Sequence, residues 1–148
     1  MGVPGNTGPP HQENNMKLFT VTLFAAMTAT AELPTGFIAA LHRVETGGRS
    51  GAIHGDGGAA LGPLQIHRAY WHDAVDYDRS IGGRYEDVVN LRYATRIVDA
   101  YMRRYAGMAY RHGDAATMAR IHNGGPAGAR KRATLSYLIK FRKAGGVR

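Results

Sequence analysis

Apolar side chains return along this chain with two different rhythms. From about Gly36 to Thr46 they fall at Phe37, Leu41 and Val44. Spacings of four and three put all three on one side of a helix, with Thr35 placed to cap its start and Gly47-Gly48 to stop it. From Arg49 to Gly62 that period vanishes, and Gly51, Gly55, Gly57 and Gly58 punctuate the segment. This predicts a loop or a short, irregular β-hairpin. Helical spacing then resumes in a short helix from Arg68 to Val75. A long one follows from about Tyr85 to Ala106, carrying Val88, Leu91, Thr95, Val98, Met102 and Tyr105. That helix is expected to be the buried centre of the fold. Asp114 begins a further helix that runs to about His122, before Gly124-Gly125-Pro126. The last runs from Ala133 to Lys143, with Leu135, Leu138, Ile139 and Phe141 as its core side. The predicted architecture is α+β and mostly helical, with a small β-hairpin between the first two helices.

The N-terminal segment follows neither rhythm. Residues 1–15 are rich in Gly, Pro, Asn and Gln and are expected to be disordered. Met16-Lys17 opens a different stretch, uncharged from Leu18 to Ala31 and ending Ala29-Thr30-Ala31. A lysine, a short apolar run and a small-residue end predict a signal peptide over 16–31 and a secreted or periplasmic protein. The run is too short to span a bilayer. Residues 32–148 are then the working domain, of a length that suits one folding unit.

Composition narrows the chemistry. With 44% hydrophobic and 20% charged residues the chain can build a core. It has no cysteine, which excludes disulfides and thiolate metal sites. Its seven histidines show no HExxH-type spacing, so no metal or other cofactor is expected. Gly55-Asp56-Gly57-Gly58 lacks the strand before it and the GK[ST] after it that a phosphate loop needs. The net charge of +8 favours an anionic partner. Arg130-Lys131-Arg132 and the tail cluster show no aromatic-basic interleaving of the kind that binds nucleic acid, and neither nucleic acid nor a membrane is expected as a partner. A monomer is the simplest expectation.

Cleaving a glycosidic bond takes one carboxylic acid to protonate the leaving oxygen and, usually, a second carboxylate. Glu45 suits the first role. It follows Val44 at the end of an apolar helix, where the negative end of the helix dipole and desolvation both favour the protonated form. Asp56, in the glycine-rich loop, is eleven positions further on, and a hairpin folding back would bring the two together. Gln65 and His67 alternate with Leu64 and Ile66 and so share a face. His122 and Asn123 stand at a helix end, and an amide both donates and accepts as sugar hydroxyls and N-acetyl groups require. Tyr70-Trp71 offers aromatic surface for a sugar ring.

These segments, in this order, resemble the invertebrate-type lysozymes, the family that includes destabilase. The resembling pieces are Val44-Glu45-Thr46-Gly47, then Gly62-Pro63-Leu64-Gln65-Ile66, Tyr70-Trp71-His72-Asp73 and Ala100-Tyr101-Met102-Arg103-Arg104-Tyr105. Last come Ala119 to Gly128, holding His122-Asn123-Gly124-Gly125-Pro126, and then Ala133-Thr134 and Tyr137. The match spans about residues 36–142. It implies a lysozyme-like fold and hydrolysis of the β-1,4 bond between N-acetylmuramic acid and N-acetylglucosamine in peptidoglycan. By the resemblance, Glu45 is the general acid and Asp56 the nucleophile or stabiliser. Gln65, His67, Tyr70, Tyr101, His122, Asn123 and Gly124 fall where the family lines its substrate cleft. The chain departs from the family in having no cysteine and in carrying His67 where lysine is common. Counting back from Gly62, the family's aspartate also lands on Gly55, one place before Asp56. Two further functions stay open on the residues alone: a lytic transglycosylase, which needs only the acid, and a wall-binding module without chemistry.

Overall fold

The computed structural model describes residues 1–2 and 31–147. The segments expected to be disordered (1–15) and to form a signal peptide (16–31) lie almost wholly outside them. Helix α1 is Phe37–Thr46. Thr35 does not cap it. Gly36 holds the N-cap with φ +83°, a left-handed backbone that glycine takes at little cost, and the Phe37 N–H donates to the Pro34 carbonyl at 3.0 Å instead. Phe37 and Leu41 are fully buried, and Phe37 meets Phe141 of the last helix edge-on at 5.4 Å.

The glycine-rich stretch forms three strands of two residues each: β1 (His54–Gly55), β2 (Ala60–Leu61) and β3 (Ile66–His67). They pair antiparallel in chain order, with Gly55 opposite Ala60 and Ala60 opposite His67. The expected hairpin is therefore present, and the chain returns once more to add a third strand. β3 leads directly into α2 (Arg68–Tyr77).

The long helix begins later than the hydrophobic spacing predicts. Tyr85–Val89 is a 3-10 turn, the backbone extends at Asn90, and α3 runs Leu91–Tyr105. Asn90 is the reason. Its side-chain oxygen accepts from the Tyr93 N–H at 3.2 Å and caps the helix there. Ile97, Val98 and Met102 are fully buried, so α3 is the central helix. A short helix that the pattern did not predict, α4 (Gly107–Arg111), follows a break at Ala106. In α5 (Ala115–Gly124) Asp114 acts as the expected cap, accepting from the Thr117 N–H at 3.0 Å.

Helix α6 is Leu135–Lys143. Tyr137, Leu138 and Phe141 face inward, whereas Leu135 and Ile139 are 44% and 54% exposed. They were expected on the core side. The buried set, extended back to Thr134, keeps i, i+3, i+4, i+7 spacing, and Leu135 and Ile139 lie about 100° round the helix from it. The Arg43 guanidinium donates to the Ala144 carbonyl at 2.9 Å and ties the end of α6 to α1. Among the described residues no helix is long and apolar enough to cross a membrane.

Candidate active site

The C-terminal end of α1, the three strands and the C-terminal end of α5 meet around a polar cleft. Glu45, Asp56, Ala60, Gln65, His67, His122 and Asn123 line a cavity of about 380 Å³. An adjoining cavity of about 260 Å³ shares His67, His122 and Asn123 and is closed by Tyr70, Tyr101 and Gly125. Eight of the nine residues that the resemblance assigns thus line these two adjoining cavities. Gly124 is the exception: its neighbour Gly125 lines the wall, and its own carbonyl accepts from the Lys131 ammonium at 2.6 Å. Trp71 borders neither cavity; its indole N–H donates to the Tyr93 hydroxyl at 2.9 Å, a structural bond.

Glu45 lies in the last turn of α1, and its side chain is 17% exposed. The next residue fastens this turn to the sheet, for the Thr46 hydroxyl lies 3.2 Å from the Pro63 carbonyl oxygen. Glu45 Oε1 accepts from the Tyr137 hydroxyl at 2.6 Å and lies 3.4 Å from His122 Nε2. The His122 side chain is only 4% exposed. Behind it, the Tyr70 hydroxyl sits 3.2 Å from Nδ1, and Tyr70 stacks on Tyr101 with ring centroids 3.5 Å apart. Tyr70 and Tyr101 are therefore buried walls and not exposed platforms for a sugar ring.

The direction of the Glu45 pKa is opposite to the sequence expectation. Burial pushes the carboxyl up, but the hydrogen bond from His122, the Tyr137 hydroxyl and the charges that His122 and His67 carry when protonated together hold it below its ordinary value. The cause is invisible locally, because His122 and Tyr137 arrive from α5 and α6. The Tyr137 hydroxyl is pushed far up, by burial first and then by the adjacent Glu45 charge. It stays protonated as a donor.

Asp56 is held differently. It opens a 3-10 turn after β1 with φ +49°, unusual for a residue bearing a side chain. Its carboxylate is 73% exposed and meets His67 Nε2 at 3.4 Å. Gln65, at φ +48°, supports the loop beneath it. The Gln65 amide N–H₂ donates to the Ile53 carbonyl at 3.1 Å and the Gly62 carbonyl at 2.9 Å, while its oxygen lies across Gly55. A Cβ on Gly55 would overlap that oxygen, so no side chain fits there with Gln65 in place. The carboxylate accordingly stands one residue later, on Asp56.

Sequence reasoning gave no role to Tyr137, although its hydroxyl makes the shortest contact to Glu45. Its spacing with Leu138 and Phe141 reads simply as core.

Residues 38–144 match the Destabilase family. The chain belongs to this family, the invertebrate-type lysozymes. It is 38% identical over 104 residues to lysozyme 1 of Crassostrea virginica, covering 69% of this chain and 54% of that protein. It is 33% identical over 125 residues to a lysozyme of Magallana gigas, covering 84% and 88%. The chain thus spans about half the length of the first relative and most of the second. Among solved structures it resembles Meretrix lusoria lysozyme in complex with Aeromonas hydrophila PliI, at TM-score 0.66 and 30% identity, over 81% of this chain and 99% of that one. Tapes japonica lysozyme aligns with TM-score 0.63 and 26% identity, over 75% and 89%.

Proposed function

We propose that the chain is a secreted glycoside hydrolase that cleaves the β-1,4 bond between N-acetylmuramic acid and N-acetylglucosamine in peptidoglycan. The observation that carries this reading is the pairing, across one polar cleft, of a sheltered glutamate and an exposed aspartate. Membership of a family whose relatives are lysozymes supports it. Glu45 is the general acid. Its proton passes to the glycosidic oxygen as the C1–O bond breaks. Asp56 captures or stabilises the positive charge left on the sugar. Water then adds at C1 and returns a proton to Glu45, releasing a reducing end. Sugar filling the cleft expels water from the open side of Glu45, and that raises its hold on the proton. Gln65, His67, His122 and Asn123 offer the polar lining for hydroxyl and N-acetyl groups, and Tyr70 and Tyr101 close the inner end.

The charge distribution suits an anionic polymer. Acidic and basic residues balance through Asp114, eleven of each, and no acid follows. The whole net charge of +8 thus lies in the part of the chain that holds α5, α6 and the run Arg130-Lys131-Arg132. Lys131, bonded to Gly124, places that run beside the cleft's inner end. Peptidoglycan carries stem-peptide carboxylates, so a strand leaving the cleft meets cations there.

The deciding experiment is digestion of peptidoglycan by the wild type and by Glu45→Gln, with products read by mass spectrometry. The wild type should release reducing ends. Glu45→Gln should lose about a thousandfold in rate while sugar binding persists. Anhydro ends without reducing ends would turn the reading to a lytic transglycosylase. Unchanged lysis by Glu45→Gln would remove Glu45 from the mechanism.

A further inference from the structure

The carboxyl group of Glu45 is held through one oxygen only. Tyr137 donates to Oε1, and His122 Nε2 approaches the same atom. Among the described residues no hydrogen bond reaches Oε2. Yet no buried side-chain nitrogen or oxygen of the described residues lacks a partner, so Oε2 retains access to solvent, and Glu45 lines the cleft. The two oxygens are thereby made unequal. Oε1 faces donors, and a hydrogen placed on it would point at hydrogens already there. Oε2 is free to carry one.

The donor on His122 is fixed from behind. The Tyr70 hydroxyl is buried, and its one partner among the described residues is His122 Nδ1. A hydroxyl that donates to Nδ1 leaves the ring hydrogen on Nε2, facing Glu45. Stacking on Tyr101 keeps the Tyr70 ring in line.

We infer that Tyr70, His122 and Tyr137 are positioning residues that hold Oε1 of Glu45 as an acceptor and reserve Oε2 for the proton given to substrate. The inference rests on the proposed role of Glu45. The ionisable groups facing Glu45 are His122 from α5, Tyr137 from α6, and His67 and Asp56 from across the cleft, with Tyr70 of α2 behind His122. Changing Tyr70 or Tyr137 leaves His67 and Asp56 in place.

Two hydroxyl deletions should then act in opposite directions. Tyr137→Phe removes a donor to the carboxylate, so the Glu45 midpoint should rise by about one pH unit. Tyr70→Phe frees Nδ1 to take a proton, and the resulting imidazolium should lower the midpoint. The measurement is the carboxyl-carbon titration of Glu45 by NMR in the full-length protein, alongside the pH profile of kcat/KM. The alkaline limb of that profile should move with the midpoint in each variant. Shifts of the same sign, or a loss of rate with no shift, would overturn the inference. If Tyr70→Phe does not fold, His122→Gln decides. A small shift supports a neutral imidazole, and an upward shift well above one unit means His122 was charged and overturns it. NMR midpoints that move as stated while the rate profile ignores them would instead count against Glu45 as the acid, leaving the positioning intact.

Discussion

The two walls of the cleft hold their carboxylates by opposite means. Glu45 sits on a regular helix, is 17% exposed, and has its Oε1 gripped from α5 and α6. Asp56 sits on a glycine-rich turn with left-handed backbone, is 73% exposed, and has one long contact to His67. A proton donor needs a sheltered site whose affinity for hydrogen is set by neighbours. A group that meets developing positive charge needs only to face the substrate. The difference in support matches the two roles proposed for these residues, and it also predicts which wall is easier to damage.

The largest separation between the walls should appear in rate. Asp56→Asn is expected to slow peptidoglycan cleavage by about ten- to a hundredfold, well short of the loss from Glu45→Gln, with unchanged thermal stability. Equal losses would mean that both carboxylates act in one covalent step, and a negligible loss at Asp56 would leave the acid working alone. Next comes the brace beneath the loop. Gly55→Ala should expel the Gln65 amide, costing about 1–2 kcal/mol in denaturant unfolding and displacing Asp56. Gln65→Ala should cost a similar amount, and the double variant should cost little more than either, since one interaction is lost in both. Full additivity would show that Gln65 does not support Gly55.

The smallest effect is in acid stability. The folded-state pKa of Glu45 lies below its ordinary value of 4.5, so its contribution is present above that value and lost as pH falls through the folded one. Asp114, lowered through its Thr117 bonds against the opposing effect of burial, acts in the same direction. Tm should fall on acidification below about pH 4.5, and Glu45→Gln should flatten that fall. A Tm that drops as steeply in the variant would place the loss elsewhere.

Features carried by neighbouring residues were legible in the sequence. The apolar stripe ending at Val44-Glu45, the alternation at Gln65 and His67, and the polar pair His122-Asn123 before glycine all stand at the cleft. What needs distant partners was not. Tyr137 looks like a core aromatic, and only the docking of α6 against α1 gives its hydroxyl a carboxylate. The sign of the Glu45 pKa was misread for the same reason: dipole and burial are local, while the histidine and tyrosine that oppose them are not. Asn90 cut the long helix short because one cap outweighs a favourable period that continues on both sides. Leu135 and Ile139 were placed inside by counting apolar residues without following the phase set by Thr134, Tyr137, Leu138 and Phe141.

The bond from Tyr137 to Glu45 spans 92 positions of chain. During synthesis the acid is therefore made well before its support. A nascent or C-terminally clipped chain presents the glutamate without its anchor. The grip on Glu45 Oε1 is in this way completed only when α6 docks against α1.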